Sequence, residues 1–196
     1  MAEKPQVVVS CSAWGIYNRH HIEGYDTFSS GYHDYYQDTW RWIQLGAMDV
    51  LVPMIYWNIP DPKPNYDELV EDFVKGIGAK RLIGGQRMYG RSWEPTENIQ
   101  EINVTRKAGA LGTVIFSYSS AKGKEAFGQL KNAVYQNKAP VPELEWKVSP
   151  EHGIILGKVT DEEGQPLTDA WVSLRRESEE PQPRRRRGST QIWTSS

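Results

Sequence analysis

The sequence is poor in cysteine, in long apolar runs and in charge of one sign, and each shortage excludes a class of protein. Cys11 is the one cysteine among 196 residues, which excludes an intramolecular disulfide framework and any CxxC metal site. No run approaches the roughly 18 apolar residues of a membrane helix. The formal net charge of −2 gives no field for binding nucleic acid across the whole surface.

Amphipathic aromatic residues, by contrast, are abundant. The chain has eight Trp and ten Tyr against four Phe. Apolar residues make up 38% of it, which is enough for a folded core. Because Trp and Tyr combine an apolar ring with a polar edge, their excess indicates wet stacking surfaces as well as core filling. The first ten residues lack the apolar stretch of a signal peptide, so the sequence as it stands predicts no export.

Four short apolar segments are predicted to be strands: 7–12, 49–57, 81–86 and 112–118. Their nearly continuous apolar character is typical of strands buried on both faces of a parallel sheet. A segment with helical periodicity follows each strand, at 32–45, 66–75, 97–107 and 124–136. Residues 1–138 thus predict four βα units, whereas an eight-stranded barrel needs roughly 250 residues. The fold class is α/β, either a small open sheet or the C-terminal half of a TIM barrel.

The amino-acid composition changes after residue 138. Residues 139–153 are rich in proline and predict an extended linker. Residues 154–176 predict a short β-hairpin, a strand, a turn at 161–164 and a second strand. Residues 177–196 carry few apolar and many charged side chains, which predicts a disordered tail. The arginine run 184–187 within it is offset by nearby glutamates, so no nucleic-acid partner is expected.

Three stretches resemble the glycosyl hydrolase-like 10 domain family. They are SAWGIYNR at 12–19, YYQDTWRWIQLGAMDVLVPMIYW at 35–57 and GTVIFSYSS at 112–120. The resemblance implies a TIM-barrel glycoside hydrolase of bacterial type, exported or at the cell surface in full-length relatives, with a glycan as substrate. It assigns residues 1–138 to barrel strands five to eight. Residues 157–174 separately resemble the start of a carboxypeptidase-regulatory-like β-sandwich.

Two positions depart from that family's pattern. Ala13 stands where the family commonly has Pro, and Met54 where it has Gln. The family's acidic cluster at the end of strand four has no counterpart here. The resemblance therefore implies a fragment of a glycoside hydrolase with incomplete catalytic machinery, arising from a truncated gene, a fragmentary gene assignment or a frameshift. Four strands of a barrel would leave open edges, so self-association of the chain is expected.

Glycoside hydrolysis ordinarily requires two carboxyl groups that flank the scissile bond. In a barrel they lie at the carboxyl ends of the strands. The loops after the predicted strands offer three weak candidates, Asp26, Asp61 and Glu94. None of them directly ends a strand, so each is more simply a solvated loop acid, and the sequence identifies no acid and base pair.

Aromatic residues follow three of the four predicted strands, as they would around a sugar cleft. Packing between strand ends and helices is the ordinary alternative for each ring. An arginine and an amide near these strand ends could bind hydroxyl or carboxylate groups, and a surface ion pair is the alternative for the arginine. The predicted substrate-binding residues are Trp14, Tyr17, Arg19, Tyr56, Trp57 and Gln86, with Tyr89 and Trp93 as further strand-end rings.

No metal and no cofactor is expected. His20 and His21 are adjacent and lack a third ligand, and Gly84-Gly85 does not open a dinucleotide-binding helix. The function predicted is therefore that of a glycoside hydrolase fragment. Two alternatives stay open: a carbohydrate-binding module without turnover, and a small open α/β domain that binds an unrelated ligand.

Overall fold

The computed structural model describes residue 4 and residues 6–59, 61–89, 93–121, 125–149, 157–167, 170–173 and 189–191. The chain divides into two units, residues 1–151 and 152–196. Among the described residues, no helix has the combined length and apolar character needed to cross a bilayer.

The first unit is built on four parallel strands in consecutive order. They are β1 (Ser10–Trp14), β2 (Val50–Met54), β3 (Ile83–Arg87) and β4 (Gly112–Phe116), and the sheet order is β1-β2-β3-β4. An open doubly wound sheet reverses its strand order at a switch point, and this sheet contains no reversal. Consecutive parallel order with right-handed crossovers places the helices on one face, so the architecture is α/β and matches part of a TIM barrel.

Seven α-helices and one 3₁₀ helix (Ala79–Arg81) accompany the strands in the described part of the chain. The α-helices are α1 (Gly31–Asp34), α2 (Thr39–Gln44), α3 (Tyr66–Ile77), α4 (Pro95–Lys107), α5 (Tyr118–Ala121), α6 (Ala126–Ala133) and α7 (Glu145–Val148). The single helix predicted over 32–45 is wrong, because the chain breaks into α1 and α2. Tyr36 between them has φ of 55°, and Asp38, expected inside the helix, caps α2 by accepting a hydrogen bond from the Arg41 amide.

One face of the sheet packs on the helices. Leu51 and Ile55 of the β2 segment lie in a buried cluster with Leu69 and Phe73 of α3. A second cluster joins Met88 and Ile102 with Ala126 and Leu130 of α6. Phe127 on the same helix is 42% exposed and stacks on Tyr118.

The other face of the sheet is exposed at β4. Successive side chains of a strand point to opposite faces, and Gln86 and Thr113 contact helix-side residues through hydrogen bonds to Tyr66 and Tyr135. Their neighbours along β3 and β4 therefore point to the opposite face. Val114 is 44% exposed and Phe116 is 55% exposed, so the face that would be the interior of a barrel carries solvent-facing apolar side chains.

Helix α7 lies within the segment predicted to be an extended linker, and that prediction is wrong for residues 145–148. Its Trp146 indole N–H donates to Asp49 at 3.0 Å, and Lys147 pairs with the same carboxylate at 2.8 Å. The Arg81 guanidinium stacks on the Trp146 ring at 3.8 Å. Burial alone would raise the pKa of Asp49, but hydrogen bonds from Lys147, the Val9 amide and Trp146 lower it overall. Asp49, directly before β2, thus anchors helix α7 at the amino end of that strand.

The second unit is described in part. A turn at 161–164 is closed by a hydrogen bond from the Gly164 amide to the Asp161 carbonyl, and Thr160 pairs antiparallel with Pro166. Strands β5 (Trp171–Ser173) and β6 (Ser189–Gln191) form a two-stranded parallel sheet. Sequence analysis expected no regular structure at 189–191. The arginine run 184–187 lies outside the described residues.

Candidate active site at the strand ends

An aromatic cluster lies where β2, β3 and β4 end. Ring centroids are 6.1 Å apart for Tyr56 and Tyr89, 6.0 Å for Tyr56 and Phe116, and 6.4 Å for Tyr89 and Phe116. Met54, the last residue of β2, is in register with Gly85, and Arg87 is in register with Phe116, so Tyr56, two residues after Met54, reaches the level of Phe116. Burial first, and then the nearby Tyr89, raise the pKa of the Tyr56 phenol, so it remains a hydrogen-bond donor at neutral pH. We call Tyr56, Tyr89 and Phe116 the aromatic triad.

Three polar side chains, those of Arg87, Asn58 and Glu97, meet at the end of β3. Arg87, the last residue of β3, donates through Nη2 to Asn58 Oδ1 at 3.0 Å, and the same nitrogen lies 4.0 Å from Glu97 Oε2 on α4. Arg87 Nε and Glu97 Oε2 are buried without a hydrogen-bond partner among the described residues. Arg87 and Glu97 were not predicted from the sequence, although the position of Arg87 directly after the predicted strand 81–86 could have indicated it.

A second aromatic group lies at the end of β1. The Trp14 and Tyr35 rings are 4.4 Å apart between centroids. The Trp14 indole N–H donates to the Ser29 carbonyl at 2.8 Å and its amide donates to Gln37 Oε1 at 2.9 Å, so the ring has a fixed position. Tyr35 is 46% exposed, so part of this group faces solvent.

Trp57, another predicted binding residue, packs its ring against Gly15, directly after the end of β1. It follows Tyr56 in the chain, and a Cβ added to Gly15 would lie 2.8 Å from its ring. The same Cβ would lie 2.3 Å from the Met54 carbonyl oxygen, so only glycine permits this close approach of β1 and β2. Trp57 is partly buried against the main core cluster.

Two predicted binding residues are inaccessible in this structure. Gln86 is fully buried on the helix-facing side, where it donates to the Tyr66 hydroxyl and accepts from Asn98. The Tyr17 ring is buried, stacks on Trp40 at 4.3 Å and donates its hydroxyl to Asp38. Both side chains act in packing, and we correct their assignment as ligand contacts.

Arg19 forms the ion pair that was its alternative interpretation. Its Nη2 lies 2.9 Å from Asp34 Oδ1, and Nη1 donates to the Phe28 carbonyl. Trp93, at 9% exposure, donates its indole N–H to Asn98 within the helix-side core.

The three weak catalytic candidates do not converge. Asp26 is exposed and bonds His20 at 2.9 Å. The Asp61 carboxylate accepts from the Asn58 amide within its own turn. Glu94 is exposed and directly precedes α4. These positions give each acid a local role, and the structure brings no two of them together.

Sequence analysis also missed a buried polar network between β3 and α4. Glu101 is 2% exposed and receives a hydrogen bond from Asn98, while Thr105 bonds both Tyr66 and the Glu101 carbonyl. Burial, with repulsion from Glu97, raises the pKa of Glu101 to about 8. A carboxyl that stays protonated at neutral pH is a feature found at functional sites and in structural networks alike.

We expect stability to fall as pH rises, because the folded-state pKa of Glu101 lies above its ordinary value of about 4.3. The group favours folding fully below the unfolded pKa, and this contribution is lost as pH rises through about 8. Glu101→Gln should raise the free energy of unfolding at pH 9 by at least ~1 kcal/mol and leave it little changed at pH 5. Glu94→Gln is the exposed control. Equal melting of Glu101→Gln and the parent at pH 9 would contradict the buried-acid account.

In the described part of the chain, the ring contacts of His20, His21 and His33 are with residues outside the aromatic triad. His20 meets His33 edge-on, and His21 lies 3.3 Å from Asp72, whose pKa burial raises. In the described part of the chain, no three His, Cys, Asp or Glu side chains group as metal ligands would. The strand ends therefore combine flat, partly exposed rings with hydrogen-bonding groups, an arrangement that can stack on and hydrogen-bond a sugar.

Comparison with known proteins agrees with this geometry. The family model Glycosyl hydrolase-like 10 matches residues 1–87, which end with the last residue of β3. Glycosyl hydrolase YngK of Bacillus subtilis (strain 168) is 28% identical over 162 residues, covering 74% of this chain and 32% of that protein. Glycosyl hydrolase DigH of Escherichia coli (strain K12) is 36% identical over 87 residues, covering 41% of this chain and 20% of that protein.

The chain thus spans about a third or less of the curated relatives it matches. The family match, the names of these relatives and the consecutive parallel sheet agree with one another. The family match over residues 1–87 and the parallel sheet therefore support a glycosyl hydrolase-like domain of α/β architecture.

Proposed function

We propose that residues 1–138 form the half of a glycoside hydrolase barrel that binds the glycan, and that turnover requires further strands. The observation that carries this proposal is the aromatic triad at the ends of β2, β3 and β4, with Phe116 55% and Tyr89 39% exposed. Rings of this kind present an apolar face to sugar C–H groups. The carboxyl end of the strands is also where barrel enzymes bind substrate.

The polar groups beside the triad suit hydroxyl recognition. Arg87 and Asn58 form one hydrogen-bonded pair, and Glu97 lies within 4.0 Å of the arginine. A sugar hydroxyl both donates and accepts, so it complements an array of an amide, a guanidinium and a carboxylate. The substrate class that we propose is a cell-wall or environmental polysaccharide, by analogy with proteins named glycosyl hydrolases.

Incomplete catalysis is part of the same proposal. Hydrolysis ordinarily needs two carboxyls about 5–10 Å apart across the bond, and Asp26, Asp61 and Glu94 each have a separate local setting. Glu97, through its pairing with Arg87, is the carboxyl that this half would contribute to the cleft. The second would come from the complementary strands. The turn at 161–164 supports assigning 154–176 to the start of a β-sandwich.

The test compares two exposed phenylalanines. Phe116→Ala should weaken binding of chitohexaose or cellohexaose by at least about tenfold, or ~1.4 kcal/mol, in isothermal titration calorimetry. Phe127→Ala is the matched control, because Phe127 is 42% exposed and stacks on Tyr118 away from the triad. Unchanged affinity in Phe116→Ala, or equal loss in both variants, would overturn the proposed site.

The scattered acids also favour a second candidate, a carbohydrate-binding module without turnover. It shares the triad and differs only in catalysis. Binding that depends on Phe116, combined with no hydrolysis even when a complete barrel is assembled, would support this alternative.

A further inference from the structure

We propose that Glu101, a buried residue of α4, is a positioning residue for the strand-end site, and that the site loses affinity for its ligand when Glu101 ionises. Glu101 acts through its neighbours on Arg87 and Glu97, from the helix-facing side of β3. This inference rests on the proposed function, because it concerns how pH regulates the same site.

One asparagine connects Glu101 to the end of β3. Asn98 is fully buried on α4 and directly follows Glu97 in the chain. Its side-chain amide donates to the Arg87 backbone carbonyl at 2.9 Å and to Glu101 Oε2 at 3.3 Å. The strand residue that carries the guanidinium and the helix that carries the Glu97 carboxylate are therefore tied together through Asn98, with Glu101 as the next partner.

The hydrogen bonds around Asn98 favour a protonated Glu101. An asparagine amide nitrogen has two N–H donors, and three acceptors lie within 3.3 Å of this one: the Arg87 carbonyl, Gln86 Oε1 and Glu101 Oε2. Asn98 Oδ1 accepts from the Trp93 indole N–H at 2.9 Å, which fixes the orientation of the amide. A protonated carboxyl adds a donor, whereas a carboxylate only accepts. Ionisation of Glu101 therefore removes a donor from a group that already has too few.

The groups that face Glu101 also disfavour its ionisation. They are Glu97 on the same helix, Arg87 on β3, Asp61 in the turn before α3, and the neutral Tyr66 phenol of α3. From β4 and α6, apolar side chains such as Ile115 and Leu130 pack near α4. Burial first, and then repulsion from Glu97, raise the pKa of Glu101 to about 8, although Arg87 and the Asn98 hydrogen bond oppose the shift.

The Arg87 side chain is the group through which Glu101 influences the ligand. Its Nη2 donates to Asn58 and lies 4.0 Å from Glu97, and its Nε has no hydrogen-bond partner among the described residues. The guanidinium is thus held by a single side-chain hydrogen bond. Because the attraction between Arg87 and Glu101 is reciprocal, an ionised Glu101 competes with the ligand for Arg87.

Chitohexaose binding, measured by isothermal titration calorimetry at pH 6 and pH 9, tests the role of Glu101. If only the protein with protonated Glu101 binds, one pH unit above a pKa of about 8 leaves roughly one-eleventh of the molecules competent, so the parent's affinity should fall about tenfold. Glu101→Gln keeps the size of the side chain and has permanent N–H donors, so its affinity should change less than about twofold. Glu94→Gln is the control, because exposed Glu94 directly precedes α4, and it should follow the parent.

The parent and Glu101→Gln share every other titratable group, so a difference between their pH profiles reports on Glu101. Equal affinity of the parent at pH 6 and pH 9, or an equal fall in Glu101→Gln, would overturn the regulation and leave glycan binding at the triad intact. Far-UV circular dichroism follows the fold at both pH values, and unfolding of the parent at pH 9 would make Glu101 a determinant of stability alone and overturn the regulation too. If neither chitohexaose nor cellohexaose binds at either pH, the proposed function and this inference both fail.

Discussion

Purified by itself, the 196-residue chain should sediment as dimers or larger assemblies and not as a monomer. In the described part of the chain, β1 and β4 each pair with one neighbouring strand. Unpaired strand edges are templates for association. Beside the β4 edge, Val114 exposes apolar surface on the open face, and covering that surface is favourable at about 25 cal/mol per Å².

Sedimentation velocity over a range of concentrations measures this directly. Val114→Lys places a charge on the open face and should shift the population toward monomer by at least about tenfold in dissociation constant. Phe127→Lys on the outer helix α6 is the control and should leave association unchanged. A monodisperse monomer that unfolds cooperatively would contradict the half-barrel account and favour an independent open α/β domain.

The four strands were predictable from the sequence because buried parallel strands are almost continuously apolar. The limits of β1 were not. Val7, Val8 and Val9 look like strand residues, yet all are more than 40% exposed, because pairing begins only where Ser10 meets Val50. Register with a partner strand decides where a strand starts, and a local pattern does not contain that information.

The break between α1 and α2 has a local cause that periodicity overlooks. Asp38 uses its carboxylate to cap α2, and a capping side chain competes with continued helix at the same point. An acidic residue followed by Thr-Trp could have signalled a new helix start there. The inner face of α4 had no such signal, since it buries Asn98, Glu101 and Thr105 in place of apolar side chains.

The sequence predicted which rings follow the strands but did not predict the face on which Gln86 lies. Rings at the strand ends were correctly placed for Trp14, Tyr56 and Trp57, each at or just after the end of its strand. Gln86 was assigned to the ligand, but it shares its face with Gly84, where an added Cβ would meet Tyr66 and Thr105. Successive side chains of a strand point to opposite faces of the sheet, and only the structure shows on which face Gln86 lies.

In a complete barrel, substitution of a triad ring should reduce glycan binding, whereas substitution of a catalytic acid should reduce turnover. Co-expression with four βα units from a relative would complete an eight-stranded barrel. These units would supply the strands that pair with the free edges of β1 and β4. In that assembly, Glu97→Gln should abolish turnover and keep most of the binding, because a glutamine amide still hydrogen-bonds a sugar hydroxyl, and Glu94→Gln should change neither.

Release of reducing ends from chitohexaose or a cell-wall glycan, measured for this chain, for the complementary half and for the co-purified pair, tests the central claim most directly. The account predicts turnover by the pair alone, at a level that Phe116→Ala removes in this half. Hydrolysis by the 196-residue chain without its complement would contradict the claim that its four strands bind a glycan but cannot cleave it.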